Sequence, residues 1–301
     1  IFYRLINRGS MKLFFGVMLT TFLVYFVLLL IPGYPPVDEI PFYRDSGVAV
    51  IAHRGGRGLV PGNTIEAAEN AVDIGSDIIE IDVHMTMDNV LVVRHDAVID
   101  TTTNGSGAIV NMELSDIQTY DVGFHAIDYP EAFWETSLTV PSLDSLFTAL
   151  PNQRYLIELK PKSLAPADAL CELILEHNLQ NQVVVGSFHS SVLQHFRRSC
   201  PSVPTSLGES EITLFVVLER INLGHLFNSP GYSIQIPIKY NGVAILTADL
   251  VNLAQDLNMR VDVWTINNPH EIKVALNLGV NGIITDRPDI AIYLRDAPTN
   301  L

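Results

Sequence analysis

IIEIDVH, residues 78–84, alternates aliphatic and ionisable side chains along a stretch that its β-branched residues mark as a strand. Successive side chains of a strand point to opposite faces, so Ile79, Ile81 and Val83 share one face and Glu80, Asp82 and His84 the other. YLIELK, residues 155–160, repeats the pattern, with Glu158 and Lys160 opposite Ile157 and Leu159. Charged faces of this kind do not belong in a plain apolar core. In a barrel of parallel strands the apolar set meets outer helices and the polar set points inward. Polar residues near the C-terminal ends of the strands then line the mouth, where such folds keep their active sites.

From residue 46 onward, short apolar runs alternate with amphipathic ones. Strands are predicted at 48–53, 78–84, 154–160, 182–188, 203–208, 232–238, 260–266 and 280–286. Helices are predicted between them, among them NTIEAAENAVDIG, PADALCELILEHN, ADLVNLAQDLN and a long one over ITLFVVLERINLGHLF. Several open on a capping Asn, Ser or Asp, or carry Pro in the first turn. Eight strands alternating with helices predict an α/β fold, a (β/α)8 TIM barrel over residues 46–301. A doubly wound open sheet is the alternative, and it usually needs fewer strands. Residues 97–140 break the rhythm: they follow an extra strand, VLVVRHD (90–96), and are predicted to be an insertion after the second strand, lying over the barrel mouth.

The N-terminal part has a different character. Residues 13–31 form an uncharged apolar run of nineteen, long enough as a helix to cross a hydrocarbon layer of about 30 Å. A cleavable signal peptide is the competing reading. The run is longer than a typical signal core, and PGYPPVDEIP follows it without a small-x-small site, which favours a retained transmembrane anchor. Residues 1–12 form a basic flank with Arg4, Arg8 and Lys12, whereas Asp38 and Glu39 follow the run. The positive-inside bias then places the large domain outside the cytoplasm, on a single-pass anchor. Residues 32–45, rich in proline, read as a short stiff spacer.

A net charge of −15 argues against nucleic acid as a partner and against broad electrostatic adhesion to anionic lipid. An anionic substrate must therefore meet a local positive site or a metal. The only two cysteines, Cys171 and Cys200, can pair in an oxidising compartment but lack metal-ligand spacing.

Three inward carboxylates, Glu80, Asp82 and Glu158, crowd one end of the predicted barrel. Without a cation their mutual repulsion forces protonation. A hard divalent ion, Mg²⁺ or Ca²⁺, relieves it through oxygen ligands; so do ion pairs with Arg54, Lys160 or Arg154, and the carboxylates alone admit both. VIAHRGGRGLVPGNT (50–64) adds His53 at the end of the first strand, beside Glu80 and Asp82, since adjacent strands lie about 4.8 Å apart. Arg54 is a permanent cation of a shape suited to phosphate oxygens, and Gly55, Gly56 and Gly58 let backbone approach a ligand. His95, next to Asp96, ends the extra strand. Two histidines flanking a carboxylate cluster point to an acid and a base for phosphoryl transfer.

Taken in order, these residues resemble the glycerophosphodiester phosphodiesterases. The family's HRG is met at His53–Gly55, its P-E-N-T at Pro61–Thr64, its E-x-D-V at Glu80–Val83 and its HD at His95–Asp96. E-x-K appears as Glu158 and Lys160, W-T-x-N as Trp264–Asn267 and G-x-x-T-D-x-P as Gly282–Pro288. The resemblance spans residues 48–290 and leaves out the membrane run. It implies a TIM barrel and an acid–base pair of His53 and His95. The metal ligands would be Glu80, Asp82 and Glu158, and the phosphate would be bound by Arg54 and Lys160. It also implies attack of a neighbouring glycerol hydroxyl on phosphorus, loss of the alcohol, and hydrolysis of a cyclic phosphate to glycerol 3-phosphate. Gly62 departs from the family's glutamate, which is expected to support the end of the first strand rather than do chemistry.

Trp264 is expected to cap the mouth and pack a glycerol moiety, with core packing as the alternative. His84 and His125 are expected to stay out of the chemistry, and LFVVL (214–218) to be a buried helix face. The resemblance implies a glycerophosphodiester as substrate. A lysophospholipid is the alternative, its acyl chain lying along the insertion aromatics Tyr120, Phe124, Tyr129, Phe133 and Trp134. A membrane-tethered binder without activity is a further alternative, disfavoured by the two proton carriers.

Overall fold

Short aliphatic runs such as AVIA and VVVG are buried at every position, as strands of a parallel sheet covered on both faces must be. The computed structural model describes residues 8–43, 47–123 and 137–297. Its strands are β1 (Ala49–Ala52), β2 (Ile78–Met85), β3 (Leu91–Val93), β4 (Tyr155–Leu159) and β5 (Val183–Gly186). There follow β6 (Ser233–Ile236), β7 (Lys239–Tyr240), β8 (Val243–Ala244), β9 (Arg260–Val263) and β10 (Gly282–Thr285). Seven of these run in the order β5-β4-β2-β1-β10-β9-β6, with every neighbouring pair parallel.

The predicted strand at 203–208 survives only as two bridging residues. Thr205 pairs with Val185 of β5 and Ser206 with Ser233 of β6, both in parallel, so the segment joins the two edges of the curled sheet. Pro204 has no N–H to give a longer ladder and only accepts, from Val185 N–H at 3.0 Å. The result is a TIM-barrel-like α/β fold.

Helices alternate with the strands: α1 (Arg8–Leu30), α2 (Ile65–Asp73), α3 (Leu114–Ile117), α4 (Leu143–Ala149) and α5 (Ala165–Glu176). The rest are α6 (Ser190–Ser199), α7 (Glu209–Arg220), α8 (Ala248–Asp256), α9 (Pro269–Asn277) and α10 (Pro288–Asp296). Their starts follow from sequence: Thr64, Ser142, Thr247 and Asn268 each cap a first turn through a side-chain oxygen. The long helix predicted from Ile212 to Phe227 instead stops at Arg220, since Asn222 adopts φ 56°.

Two large apolar clusters lie between sheet and helices. Phe147, Tyr155, Leu170 and Phe196 belong to one, and Ile234, Leu250, Val261 and Ile272 to the other. Cys171 of α5 is disulfide-bonded to Cys200 at the end of α6, with Cα atoms 5.7 Å apart.

α1 is apolar over Leu13–Leu30, with no residue of that window buried, and is long enough by length and composition to cross a membrane. The proline-rich segment does not stand clear of the barrel. Tyr34 N–H donates to His225 O (2.9 Å), Val37 N–H to Leu257 O (3.0 Å), and Phe42 is buried with Ile51, Ile78, Leu156 and Ile284 under the sheet.

β3 pairs antiparallel with β2 and opens the insertion, in which Ile99, Ile109, Ile117 and Val140 make a small core of their own. Tyr120 packs against that core rather than along a groove. Phe124, His125, Tyr129, Phe133 and Trp134 lie outside the described residues.

Candidate active site

The alternation read from β2 and β4 places Glu80, Asp82 and Glu158 on the inner side of the barrel, and their pairing register fixes the rest: Asp82 lies directly beside Glu158. Each of the three offers an oxygen within 4.8 Å of the others'. Such hard oxygen donors fit a divalent cation.

The turn after β1 meets them from the side. Arg54, Gly55 and Gly56 all take positive φ (54°, 77° and 86°). That left-handed run aims the Arg54 N–H at Glu80 Oε2, 2.8 Å away, and a Cβ on Gly55 would strike the α2 backbone at 2.9 Å. A non-glycine residue held there is strained, a feature that clusters at functional sites. The Arg54 Nε sits 3.2 Å from Asp82 Oδ2 without hydrogen-bond geometry, and is a buried donor left unsatisfied beside the cavity. Lys160 Nζ lies 3.0 Å from Glu158 Oε1 and 3.4 Å from Asp82 Oδ1. Asn63, also at positive φ, gives its Nδ2 to Asp82 Oδ2 at 3.0 Å.

Ion pairs therefore exist, as the alternative reading required, but two fixed cations face three carboxylates. Burial, then the charge of Asp82, pushes Glu80 well above the usual carboxylate range. The same two causes, in the same order, raise Glu158 to about 7. Asp82 is the exception: burial pushes it up, but Lys160 and Arg54 outweigh that and hold it below the ordinary value. A cluster that keeps protons at neutral pH for want of positive charge is one that a cation would ionise.

Two histidines frame the cluster. His53 Nδ1 is 2.6 Å from Asp286 Oδ1, which leaves Nε2 facing Glu80 Oε2 at 3.9 Å. Asp286 also accepts from Arg57 Nε (2.9 Å) and Asn267 Nδ2 (2.8 Å). Burial would raise its carboxyl, but the His53 hydrogen bond and charge, with Asn267 and Arg57, bring it to about 2. His95, two residues past β3, has Nδ1 2.6 Å from Asp96 Oδ1, and Thr101 Oγ1 donates to the other oxygen of Asp96. Burial lowers His95, an effect that Asp82 and Asp96 oppose. His84, as expected, is not in the cavity: it is buried, with Nε2 3.0 Å from His95 O, and so steadies the loop that carries His95.

The cluster and both histidines line one cavity of about 570 Å³. Trp264 forms part of its rim, edge-on to Phe188 with ring centroids 5.8 Å apart, and Phe188 in turn lies 5.9 Å from Lys160 Nζ. The cavity also has an apolar part, Ile212, Val216 and Val217 of α7 with Ile236, Tyr240 and Ile245, among which Glu209, Thr213 and Gln235 are the polar residues. This corrects the reading of LFVVL as a buried face. Within it only Phe215 is buried, while Leu214 and Val217 are exposed, because the barrel covers one narrow stripe of α7 and the cavity takes another.

The expected site residues thus converge, and others join them that the sequence did not single out. Asp286, Asn267 and Asn63 stood inside the quoted motifs, so their signal was present without a role. Arg57 stood in the quoted stretch 50–64 but between the family motifs, with no role marked for it. Its Cβ would lie 2.6 Å from a Cβ placed on Gly62, so Arg57 fills the space a side chain at 62 would need.

Residues 53–290 match the Glycerophosphoryl diester phosphodiesterase family. A glycerophosphodiester phosphodiesterase of Caldanaerobacter subterraneus subsp. tengcongensis is 31% identical over 251 residues, covering 81% of this chain and 96% of that one. Lysophospholipase D GDPD1 of Rattus norvegicus is 26% identical over 263 residues, covering 79% and 83%. In fold, the chain resembles a phosphodiesterase of Oleispira antarctica solved with the product sn-glycerol-3-phosphate, at a TM-score of 0.67, 21% identity and coverage of 83% and 97%. The chain belongs to the glycerophosphoryl diester phosphodiesterase family and is a phosphodiesterase acting on glycerophosphodiesters.

Proposed function

We propose that the chain cleaves glycerophosphodiesters to glycerol 3-phosphate and an alcohol in a metal-dependent reaction, with His53 and His95 as the acid–base pair. One observation carries this reading: two imidazoles, each with Nδ1 2.6 Å from a carboxylate, stand beside three clustered carboxylates at the mouth of one cavity. A carboxylate on Nδ1 fixes the tautomer, frees Nε2 for the substrate and stabilises the imidazolium that forms.

Glu80, Asp82 and Glu158 would hold Mg²⁺ or Ca²⁺. When bound, such an ion draws negative charge from the phosphate oxygens. Arg54, whose buried Nε lacks a hydrogen-bond partner, and Lys160 hold those oxygens from the protein side. One histidine takes the proton of the glycerol hydroxyl next to the phosphodiester as its oxygen attacks phosphorus. The other gives a proton to the departing alcohol. With the roles reversed, water opens the cyclic phosphate to glycerol 3-phosphate. Trp264 packs the glycerol carbons at the rim. A binder without activity would have no use for two such proton carriers.

The chain is read as a single-pass membrane protein with α1 as anchor and the barrel outside the cytoplasm. The Cys171–Cys200 disulfide, which persists in oxidising compartments, supports that side. The apolar cavity wall favours a second reading at the same site, lysophospholipase D action on lysophospholipids. Glycerophosphocholine incubated with the full chain should release glycerol 3-phosphate. Release should stop with EDTA and return with Mg²⁺ or Ca²⁺; unchanged release in EDTA sinks the metal reading.

A further inference from the structure

α7 presents Leu214 and Val217 on one face, 52% and 50% exposed, and Ile221, 43% exposed, follows directly at its C-terminal cap. Beside it, β7 and β8 form a hairpin whose turn residues, Asn241 and Gly242, both have positive φ (48° and 83°), the pattern of a tight primed turn. The hairpin exposes Tyr240 and Val243 and carries no acidic side chain. Arg220 at the end of α7 donates to Ala244 O at 2.8 Å, so the helix end and the hairpin lie side by side. Leu214, Val217, Tyr240 and Val243 are 50–61% exposed, and an apolar patch of that kind marks an interaction site.

α1 identifies what covers it. Tyr25 OH donates to Ile221 O (2.9 Å), and His225 Nε2 lies 3.3 Å from Leu28 O. The apolar window Leu13–Leu30 of α1 measures ~27 Å, barely the ~30 Å of a hydrocarbon layer, so its last residue has to sit near the membrane boundary. Tyr25 lies ~7.5 Å short of that end. The contact therefore holds Ile221 at or inside the boundary. A tyrosine and a lysine, Tyr240 and Lys239, on the hairpin are the residue types that settle among headgroups. The net charge of −15 leaves apolar burial as the attraction.

We propose that the exposed face of α7 and the β7–β8 hairpin are seated in the membrane that α1 enters, and that the apolar wall behind them takes the single acyl chain of a lysophospholipid directly from the leaflet. Val217 and Tyr240 are both exposed on the surface and part of the cavity wall, which makes the path from lipid to Glu158 continuous. The inference rests on the phosphodiesterase reading of the site and narrows its substrate. A free hydroxyl beside the phosphodiester is needed: its oxygen bonds to phosphorus as the bond to the headgroup oxygen breaks, and the headgroup leaves with a proton from a histidine. A phospholipid with two acyl chains lacks that hydroxyl and is not cleaved.

The test uses the full chain in phosphatidylcholine nanodiscs, with Leu214→Glu/Val243→Glu as the variant. Turnover of lysophosphatidylcholine in the disc should fall about tenfold or more, since carboxylates resist seating in the interface, while turnover of glycerophosphocholine from solution stays unchanged. Separately, an NBD fluorophore on Leu214→Cys or Val243→Cys should emit as in lipid, and one on Val110→Cys of the insertion as in water. Equal lysophosphatidylcholine turnover in variant and parent, or water-like emission from 214 and 243, overturns the proposal. Absence of any turnover by the parent chain counts against the phosphodiesterase reading alone, because the fluorophore reports depth without catalysis.

Discussion

The cavity has two ends that are built differently. The carboxylate end hangs on β1, β2, β4 and β10, and nearly every polar side chain there is tied to a second one: Asp82 to Asn63 and Lys160, Asp286 to His53, Arg57 and Asn267. The apolar end hangs on α7 and a two-stranded hairpin, with Arg220 to Ala244 as its cross-tie. Chemistry needs groups fixed to fractions of an ångström, which a parallel sheet supplies. Choice of substrate needs only surface of the right polarity, which a helix and a hairpin supply.

The comparison breaks most sharply at the histidines. His53→Ala and His95→Ala should each lower kcat with glycerophosphocholine by about 10²–10⁴-fold, leaving its binding largely intact. Steady-state kinetics check this, and a variant within a few-fold of the parent would place the proton carriers elsewhere. Asp286→Asn should cost about 10–10²-fold and Asp96→Asn less, because Asp286 is the more buried and has three partners to Asp96's two. Equal losses would mean that the two imidazoles are held equally.

Acid should weaken the carboxylate end next. Glu158 holds a proton below about pH 7 in the metal-free chain, and a bound cation has to displace it. Metal affinity should then fall by up to about tenfold per pH unit below that value, read by calorimetry in buffers of different ionisation enthalpy. Stability of the metal-free chain moves the opposite way. A carboxyl raised by folding stabilises the metal-free fold in acid, and that contribution is lost as pH rises through about 7. Added Mg²⁺ or Ca²⁺ should therefore raise Tm more in alkaline than in acid buffer.

Changes at the apolar end should be smaller and selective. Val217→Thr exchanges one methyl for a hydroxyl, an apolar loss of about one CH₂, so KM for lysophosphatidylcholine should rise about fourfold with glycerophosphocholine unaffected. A matching rise for both substrates would show that the wall does not discriminate. The smallest effect is expected at Gly62→Glu, whose Cβ meets Arg57. Overpacking there costs about 1–3 kcal/mol, a Tm drop of several degrees that Arg57→Gly, which removes the clashing Cβ, should partly restore.

Much of this was legible in the chain itself. Alternation in IIEIDVH and YLIELK fixed which side chains face inward, because strand geometry allows only two faces; the carboxylate trio and the barrel-like fold followed. His53, Arg54, His95 and Lys160 were found through the motifs around them. Harder to read were partners remote in sequence. Asp286 lies 233 residues from His53, and only the pairing of β10 with β1 brings them together. The Cys171–Cys200 bond likewise needed α5 laid beside α6.

α7 marks where sequence reading stops. An apolar run looks the same whether it is covered by a core, a cavity or a membrane, since hydropathy records the side chain and not its neighbour. Composition, periodicity and motif order by themselves determined the apolar N-terminal helix, the inward carboxylates and the family. Tertiary structure alone decided that the sheet's edges meet at Thr205 and Ser206, that Asp286 orients His53, and that α7 lies open beside α1. Each of these depends on distances between segments far apart in the chain, and no local pattern encodes them.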